Sequence, residues 1–244
     1  MSRNLSRAWL LAALLLAATW THSRAANEKS LDPLVVDPQH YHLDFENQYV
    51  QVTREHMGPH GTMPMHQHLP PGALIVFVTA RKNRLTTPDG KSQVFTNPAG
   101  GIQWAGPATH RSENLNDAEF EAIRIQPKVP AVMPKPAPAE KMDAVIIDPQ
   151  HYKVEFENQY VRAIRVTIGP HEKLKMHKHP DTFAVVVQLT NQDMRQRHAG
   201  AKTTESHFKA GNVRWSPPDV AHADENLSDK PIEIVRVELK MARP

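Results

Sequence analysis

The chain of 244 residues contains no cysteine. Disulfides and thiolate metal sites are therefore both excluded. Glycine is also scarce, with 10 residues against 21 prolines, and stretches with helical periodicity are few. This composition favours short strands joined by turns.

A strong excess of charge is also missing, because the formal net charge of +3 rests on the first residues of the chain. Arg3, Arg7 and Arg24 precede Ala25 with no acidic residue among them. If this segment is removed, the three charges go with it and the mature chain has a net charge of 0. The basic isoelectric point therefore does not indicate a nucleic-acid partner.

The only long apolar run lies in residues 8–18 (AWLLAALLLAA), which follow Arg3 and Arg7. Small residues at positions 23 and 25 offer a cleavage site, so residues 1–25 are predicted to be a secretory signal peptide. The alternative is an uncleaved membrane anchor, but the run is shorter than the roughly 20 residues that span a bilayer. We expect a secreted or periplasmic protein with no stable membrane anchor after processing.

What the sequence does contain is a duplication. Residues 65–68 (MHQH) return as residues 176–179 (MHKH), and the offset from His66 to His177 is 111 residues. The flanks recur at the same offset: DPQHY at 37–41 and 148–152, and FENQYV at 45–50 and 156–161. The length of the repeat indicates a duplicated domain rather than a solenoid unit. We predict domains at residues 31–126 and 142–241, joined by a Pro/Ala-rich, semi-rigid linker at 127–141.

Both copies read as all-β. Polar and apolar residues alternate at 120–125 and 232–239, as in strands, and 164–168 predicts a half-buried strand. Continuous apolar runs at 74–78 and 184–187 indicate buried strands, and Pro-Asp-Gly at 88–90 predicts a hairpin. Many short strands with turn signals between them point to a sandwich or barrel.

Histidines carry the chemistry. Alternate residues of a strand share a face, so His66 lies beside His68, and His177 lies beside His179. His110 and His222 follow 42 and 43 residues later, far enough for intervening strands to return them to the pair. A lone His-x-His pair is usually surface alternation, whereas three histidines in register in two copies favour a metal site. Such imidazoles bind a divalent transition metal: Fe, Zn, Ni, Mn or Cu.

These residues resemble the motifs of cupins, which are small double-stranded β-helix barrels with a jelly-roll-like topology. The resemblance covers both copies, so the mature chain resembles a bicupin with two tandem barrels. The matching residues are Gly58, His66, His68, Pro107, His110 and Asn114 in the first copy and Gly169, His177, His179, Pro218, His222 and Asn226 in the second.

The resemblance implies that the six histidines are metal ligands and that the two asparagines are turn or strand-edge residues. The glutamate that usually follows the second histidine is missing, since Gly72-Ala73 and Phe183-Ala184 stand there. Val220 replaces an expected glycine, and the loop before His110 is one residue short. The full-length step from Pro218 to His222 and the clean alternation at 164–168 favour the second copy as the firmer metal site. Cupins with only three histidines include iron dioxygenases.

We therefore expect a metal-dependent, oxygenase-like enzyme that acts on a small organic acid, phenol or diketone. The alternative is a non-catalytic protein that binds a metal or small ligand, and in either case one barrel could serve only as scaffold. A small molecule is the expected partner, and the chain is a monomer or a small homo-oligomer. No general base and no substrate-recognising arginine can be assigned from the sequence.

Other repeated residues are predicted to have structural roles. These are His60 and His171 in exposed turns, His40 and His151 as hydrogen-bonding partners, and Trp104 and Trp215 in core packing. Asp181, two residues past His179, is predicted to be a turn residue rather than a ligand.

Overall fold

The computed structural model describes residues 30–128, 141–179, 182–200, 203–218 and 220–240. The predicted signal peptide, residues 129–140 of the predicted linker, and Asp181 lie outside these ranges. Across the described ranges, no helix is both long enough and apolar enough to cross a bilayer.

The first repeat contains nine strands after one short helix. In chain order the elements are α1 (Pro33–Val36), β1 (Tyr41–Glu46), β2 (Val50–Met57), β3 (Thr62–His68), β4 (Ala73–Phe77), β5 (Arg81–Thr86), β6 (Ser92–Asn97), β7 (Ile102–Ala105), β8 (Ala108–Asn114) and β9 (Phe120–Pro127). A five-stranded antiparallel sheet, in the order β1-β2-β9-β4-β7, faces a four-stranded sheet in the order β3-β8-β5-β6. The all-β prediction is confirmed.

The second repeat follows the same order with one irregularity. Its elements are α2 (Ala144–Ile147), β10 (Tyr152–Glu157), β11 (Val161–Ile168), β12 (Ala184–Gln188), β13 (Gln192–His198), β14 (Thr203–Phe208), β15 (Val213–Ser216), β16 (His222–Asn226) and β17 (Ile232–Leu239). The sheets have the orders β10-β11-β17-β12-β15 and β14-β13-β16. Where the first barrel has β3, the described part of the second has only isolated bridges, one of them between His177 and His222.

The hairpin predicted at residues 88–90 joins β5 to β6. Gly90 has a φ of 83°, a left-handed conformation that glycine adopts without steric cost. The Thr87 amide donates to the Lys91 carbonyl across the turn. Both closing strands, β9 and β17, also form as predicted.

The two five-stranded sheets pack against each other. One core contains Val52, Leu74 and Ile125 from the first barrel together with Val185 and Val237 from the second. The other face of each sheet points into its own barrel. Strands β4 and β12 are therefore buried on both faces, which explains their continuous apolar runs.

The half-buried strand predicted at 164–168 is confirmed. In β11 Ile164, Val166 and Ile168 are buried, whereas Thr167 is exposed. The packing between the sheets is evident at the preceding residue, because Ala163 is fully buried although its side chain points to the face opposite that of Ile164. Alternation shows which residues share a face, but it cannot show that another sheet covers that face.

Aromatic side chains complete the contact between barrels. Trp104 stacks on Tyr160, with ring centroids 5.5 Å apart. Trp215 lies 5.1 Å from Phe183 and 6.1 Å from Tyr49 of the other barrel. Both tryptophans therefore pack as predicted, although the core they join lies between the barrels.

Candidate metal centres

The first candidate centre lies between β3 and β8. His66 and His68 project from the same face of β3, and His110 of β8 pairs directly opposite His66. The ligand nitrogens of the three imidazoles all lie within 4.8 Å of one another. The shorter loop before His110 therefore does not move this residue out of register.

The second centre repeats this arrangement. His177 lies opposite His222 across an isolated bridge, and His179 lies beside them. The ligand nitrogens again lie within 4.8 Å of one another, and all three residues are buried. The six predicted site residues are thus brought together as two groups of three.

Backbone carbonyls orient several of these rings. Nδ1 of His66 lies 2.8 Å from the Pro64 carbonyl, and Nδ1 of His177 lies 2.8 Å from that of Lys175. Nδ1 of His222 lies 3.0 Å from the Val220 carbonyl. Because a carbonyl can only accept, each Nδ1 carries the proton and each Nε2 keeps its lone pair. Such second contacts orient histidine ligands in metal sites.

Burial lowers the pKa of histidines in both groups. It lowers the pKa of His110 to about 3, assisted by the positive charges of neighbouring groups. It lowers the pKa of His179 to about 3, assisted chiefly by the charge of Arg236. Burial also lowers the pKa of His66, His68 and His177 below the usual value. Neutral imidazole is the form that binds a metal.

A buried tyrosine adjoins each group, and sequence reasoning missed both. The Tyr41 hydroxyl lies 3.1 Å from Nε2 of His66, and the Tyr152 hydroxyl lies 3.0 Å from Nε2 of His177. Burial raises the pKa of both tyrosines well above the usual value, so both stay neutral. Tyr41 and Tyr152 are separated by 111 residues, the same offset as His66 and His177, and this repetition could have indicated them.

The donor set fits a divalent transition metal. Nε2 of His66 and Nε2 of His68 are 3.2 Å apart. Two ligand nitrogens bound at right angles to one ion at about 2.1 Å lie about 3 Å from each other. Nε2 of His66 faces both Nε2 of His68 and the Tyr41 hydroxyl, so a ligand atom, a second ligand atom and a neutral donor converge there.

The missing glutamate has a steric explanation in the first barrel. Gly72 has a φ of 101°, and a Cβ at this position would lie 2.4 Å from the Ala105 carbonyl oxygen. The backbone there leaves no room for a side chain, so this position cannot supply a fourth ligand.

The two barrels differ in the space next to the histidines. The first has a cavity of ≈ 280 Å³, lined by His68, His110, Tyr41 and Trp104 among others. The matching cavity of the second barrel is ≈ 50 Å³. Exposed residues 106–108 lie at the rim of the larger cavity, so it reaches the surface.

Three charged residues of the larger cavity were not predicted. Glu55, Arg81 and Arg124 are between 3% and 7% exposed, and all three line it. Arg124 of β9 and Arg236 of β17 occupy equivalent positions, as the strand registers show. An arginine repeated inside an otherwise apolar strand was the signal that could have revealed them.

The remaining predicted residues lie where expected. His60 and His171 adopt positive φ angles in turns, and their side chains are 65% and 63% exposed. His40 pairs with Asp37 at 2.8 Å, and His151 pairs with Asp148 at 2.8 Å. Each asparagine of the second motif, Asn114 or Asn226, is fully buried.

No protein-family model matches the chain, and no curated protein matches it by sequence. Solved structures do resemble it. AerE from Microcystis aeruginosa has a TM-score of 0.57 and 13% identity over 82% of this chain and 92% of its own. Oxalate decarboxylase from Lactobacillus farciminis, in a formate complex, has a TM-score of 0.52 and 12% identity over 82% and 84%.

Momordica charantia 7S globulin has a TM-score of 0.54 and 10% identity over 84% of this chain and 83% of its own. At these identities the likeness concerns the fold alone. Because these two-barrel proteins align along most of both chains, and because each barrel here has its own three-histidine group, the chain is a bicupin in fold, with two tandem double-stranded β-helix barrels.

Proposed function

We propose that this chain is a secreted, metal-dependent enzyme that acts on a small organic molecule in its first barrel. The observation that carries the proposal is the pair of three-histidine groups, whose ligand nitrogens lie within 4.8 Å of one another. Three imidazoles without a thiolate or carboxylate suit Fe, Zn, Ni, Mn or Cu. The solved relatives include a Bacillus subtilis oxalate decarboxylase with Mn(II) centres.

The ion would supply Lewis acidity and open positions for a substrate oxygen or for dioxygen. The protein's own part is to hold and shield that site. The Pro64 carbonyl oxygen holds His66 in one tautomer. The neutral Tyr41 hydroxyl can donate to an oxygen atom beside His66. Ile75 and Phe95 form an apolar wall of the cavity, which limits access of water.

We propose an oxygenase-like reaction on a small organic acid, phenol or diketone. The cavity of ≈ 280 Å³ supports a small substrate, because pockets for drug-sized ligands begin at about 300 Å³. The second candidate function is binding without turnover. The ≈ 50 Å³ cavity of the second barrel favours it there, since that volume leaves little room beside a metal ion.

The test is metal analysis of protein purified from its native compartment, followed by oxygen uptake with each of the three substrate classes. We expect two metal ions per chain and turnover that His68→Ala abolishes. Metal binding without turnover of any class would favour the binding function. Protein without metal after loading would contradict both.

Secretion is tested separately by sequencing the mature N-terminus. Cleavage after Ala25 would leave Ala26 as the first residue. An intact Met1 on a cytoplasmic product would contradict the signal peptide.

A further inference from the structure

Arg124 is the most unusual side chain in the first barrel. It is 3% exposed, and its Nε and Nη2 make no hydrogen bond to the protein. Leaving a buried charged donor unsatisfied is costly, so a group with this environment needs an acceptor. The side chain lines the ≈ 280 Å³ cavity, whose residues supply none.

The position of Arg124 relates it to the histidines. His68 and His110 line the same cavity as Arg124. A ligand in the cavity can therefore meet the guanidinium and the candidate metal centre together.

Arg81 adds a second positive charge but is already held in place. Its Nη2 donates to Asn97 Oδ1 at 3.0 Å, and its guanidinium lies 4.4 Å from the centre of the Phe77 ring. Glu55 Oε2 lies 4.0 Å from its Nη1. The charge of Glu55 acts on both arginines, and one carboxylate against two guanidinium groups leaves the lining with a net charge of about +1.

The second barrel does not offer such a site. Nε of Arg236 donates to Glu238 at 3.3 Å, and its Nη1 donates to Ser216 at 3.1 Å, although its Nη2 has no partner. Glu238 is 2% exposed and also accepts from Nε of Arg162 at 2.8 Å. Asp143 pairs with the same Arg162 at 3.0 Å, so two carboxylates balance the two arginines.

The remaining charges of the smaller cavity also balance. Asp224 and Arg214 both line it, and Oδ2 of Asp224 lies 3.9 Å from Nε2 of His222. The equivalent residue of the first barrel is Ser112, and the residue equivalent to Glu238 is Gln126. Both acids of the second barrel are thus neutral residues in the first.

We infer that the first barrel alone binds a small carboxylate, with Arg124 as the residue that receives its carboxylate group. A guanidinium fork matches a carboxylate in shape and charge. One net positive charge suits one carboxylate group, and the second carboxylate group of a dicarboxylate would face the divalent metal ion. The inference rests on the proposed function, because a second oxygen of the same ligand would face the metal.

The experiment is isothermal titration of the metal-loaded full chain with malonate, and with malonamide as the uncharged analogue. We expect one malonate per chain and no binding of malonamide. Arg124→Met should weaken malonate binding by about tenfold or more, because a charge-assisted hydrogen bond is lost. Gln126→Glu should do the same by placing beside Arg124 the acid that neutralises Arg236. Because Gln126→Glu retains Arg124, this variant still tests the inference if Arg124→Met fails to fold.

Arg84→Gln is the matched control, since Arg84 lies on β5 with Arg81 but is exposed and paired with Glu113. It should leave malonate affinity unchanged. Three results would overturn the inference. They are a stoichiometry of two malonates per chain, a malonate affinity that neither Arg124→Met nor Gln126→Glu changes, and tighter binding of inorganic phosphate than of malonate. Metal analysis of the same samples separates this result from the proposed function. If the chain binds metal but not malonate, only the proposed carboxylate site is contradicted. If it binds malonate but no metal, only the proposal of a metal-dependent enzyme is contradicted.

Discussion

At the scale of single residues, burial decides the chemistry of the histidines. An exposed histidine has a pKa of about 6.5 and is partly charged near neutral pH. Desolvation lowers the pKa of His68, His110 and His179 and holds these three residues neutral. They can accept a metal without first losing a proton.

This burial has a consequence for stability of the metal-free protein. A histidine whose pKa is lower in the folded state binds fewer protons there than in the unfolded chain. Its contribution to stability is complete above pH 6.5 and is lost as pH falls toward about 3, the folded pKa of His110 and His179. We expect the free energy of unfolding to fall between pH 6.5 and 5, where carboxylates of the unfolded chain do not yet titrate. Each such group adds a slope of up to about 1.4 kcal/mol per pH unit.

Urea unfolding of the metal-free protein at several pH values measures this slope. His171→Gln is the control, because this exposed histidine should leave the slope unchanged. An unfolding free energy that is constant from pH 6.5 to 5 would show that the histidines are not desolvated.

Asn114 ties three parts of the first barrel together. Its Nδ2 donates to the Gly58 carbonyl at 2.8 Å and to the Ala118 carbonyl at 2.9 Å, while its Oδ1 accepts from the Asn116 amide at 3.0 Å. We expect Asn114→Ala to lower the free energy of unfolding by about 3 kcal/mol, because buried groups lose their partners.

Chemical unfolding measures this loss, and metal content should remain two ions per chain. Asp117→Ala, an exposed change in the same loop, should cost less than 1 kcal/mol or so. A large loss of metal at unchanged stability would instead assign Asn114 a role at the metal centre.

At the scale of elements, the two centres are built differently. His66 and His68 belong to the seven-residue strand β3, whereas their counterparts are held by isolated bridges. In both barrels, however, the third histidine pairs directly with the first of the other two. The loops before His110 and His222 differ by one residue in length. This difference does not change the pairing of the third histidine with the first.

This geometry replaces the expectation that the second centre binds metal more firmly. We expect His110→Ala and His222→Ala each to lower the metal content from two ions per chain to one, because each removes one of only three ligands. Metal analysis after dialysis measures this, with His60→Ala as the control. A markedly larger loss from His222→Ala would restore the argument from loop length.

At the scale of the whole molecule, the barrels share a core. Leu31–Pro244 cluster as one compact unit, and the five-stranded sheets bury valine, leucine and isoleucine side chains against each other. Arg54 Nη2 donates to the Gly211 carbonyl at 2.9 Å, and Arg165 Nη2 donates to the Gly100 carbonyl at 2.6 Å. Such contacts couple the unfolding of one barrel to that of the other.

We predict that limited proteolysis cuts within residues 127–141 and that the two halves stay associated afterwards. The first cut should fall on the C-terminal side of Pro127, within the rest of the linker, because Pro127 itself still pairs with Val50 in the sheet. Size-exclusion chromatography of the nicked protein measures association. Initial cleavage within residues 74–78 or 184–187 would contradict the domain boundaries.

Trp215→Ala should weaken that association, since the indole stacks on Tyr49 across the contact. Truncation of a packed tryptophan costs about 3–5 kcal/mol. Val94→Ala on β6, an exposed apolar position, is the control and should leave the halves together. Halves that remain associated despite Trp215→Ala would show that the aliphatic core suffices.

The duplication, the all-β class and the two histidine groups were predictable from the sequence alone. These depend on period-two alternation and on repeated spacing, which are local and are visible in one dimension. The tertiary structure decided which sheet faces are covered, and it separated Arg124 from Arg236. Whether an arginine is neutralised depends on a residue that chain folding brings beside it, Glu238 in one barrel and Gln126 in the other. Alternation in the sequence shows which face of a strand a residue occupies. Which side chains it contacts on that face depends on how strands that are distant in the chain pack together.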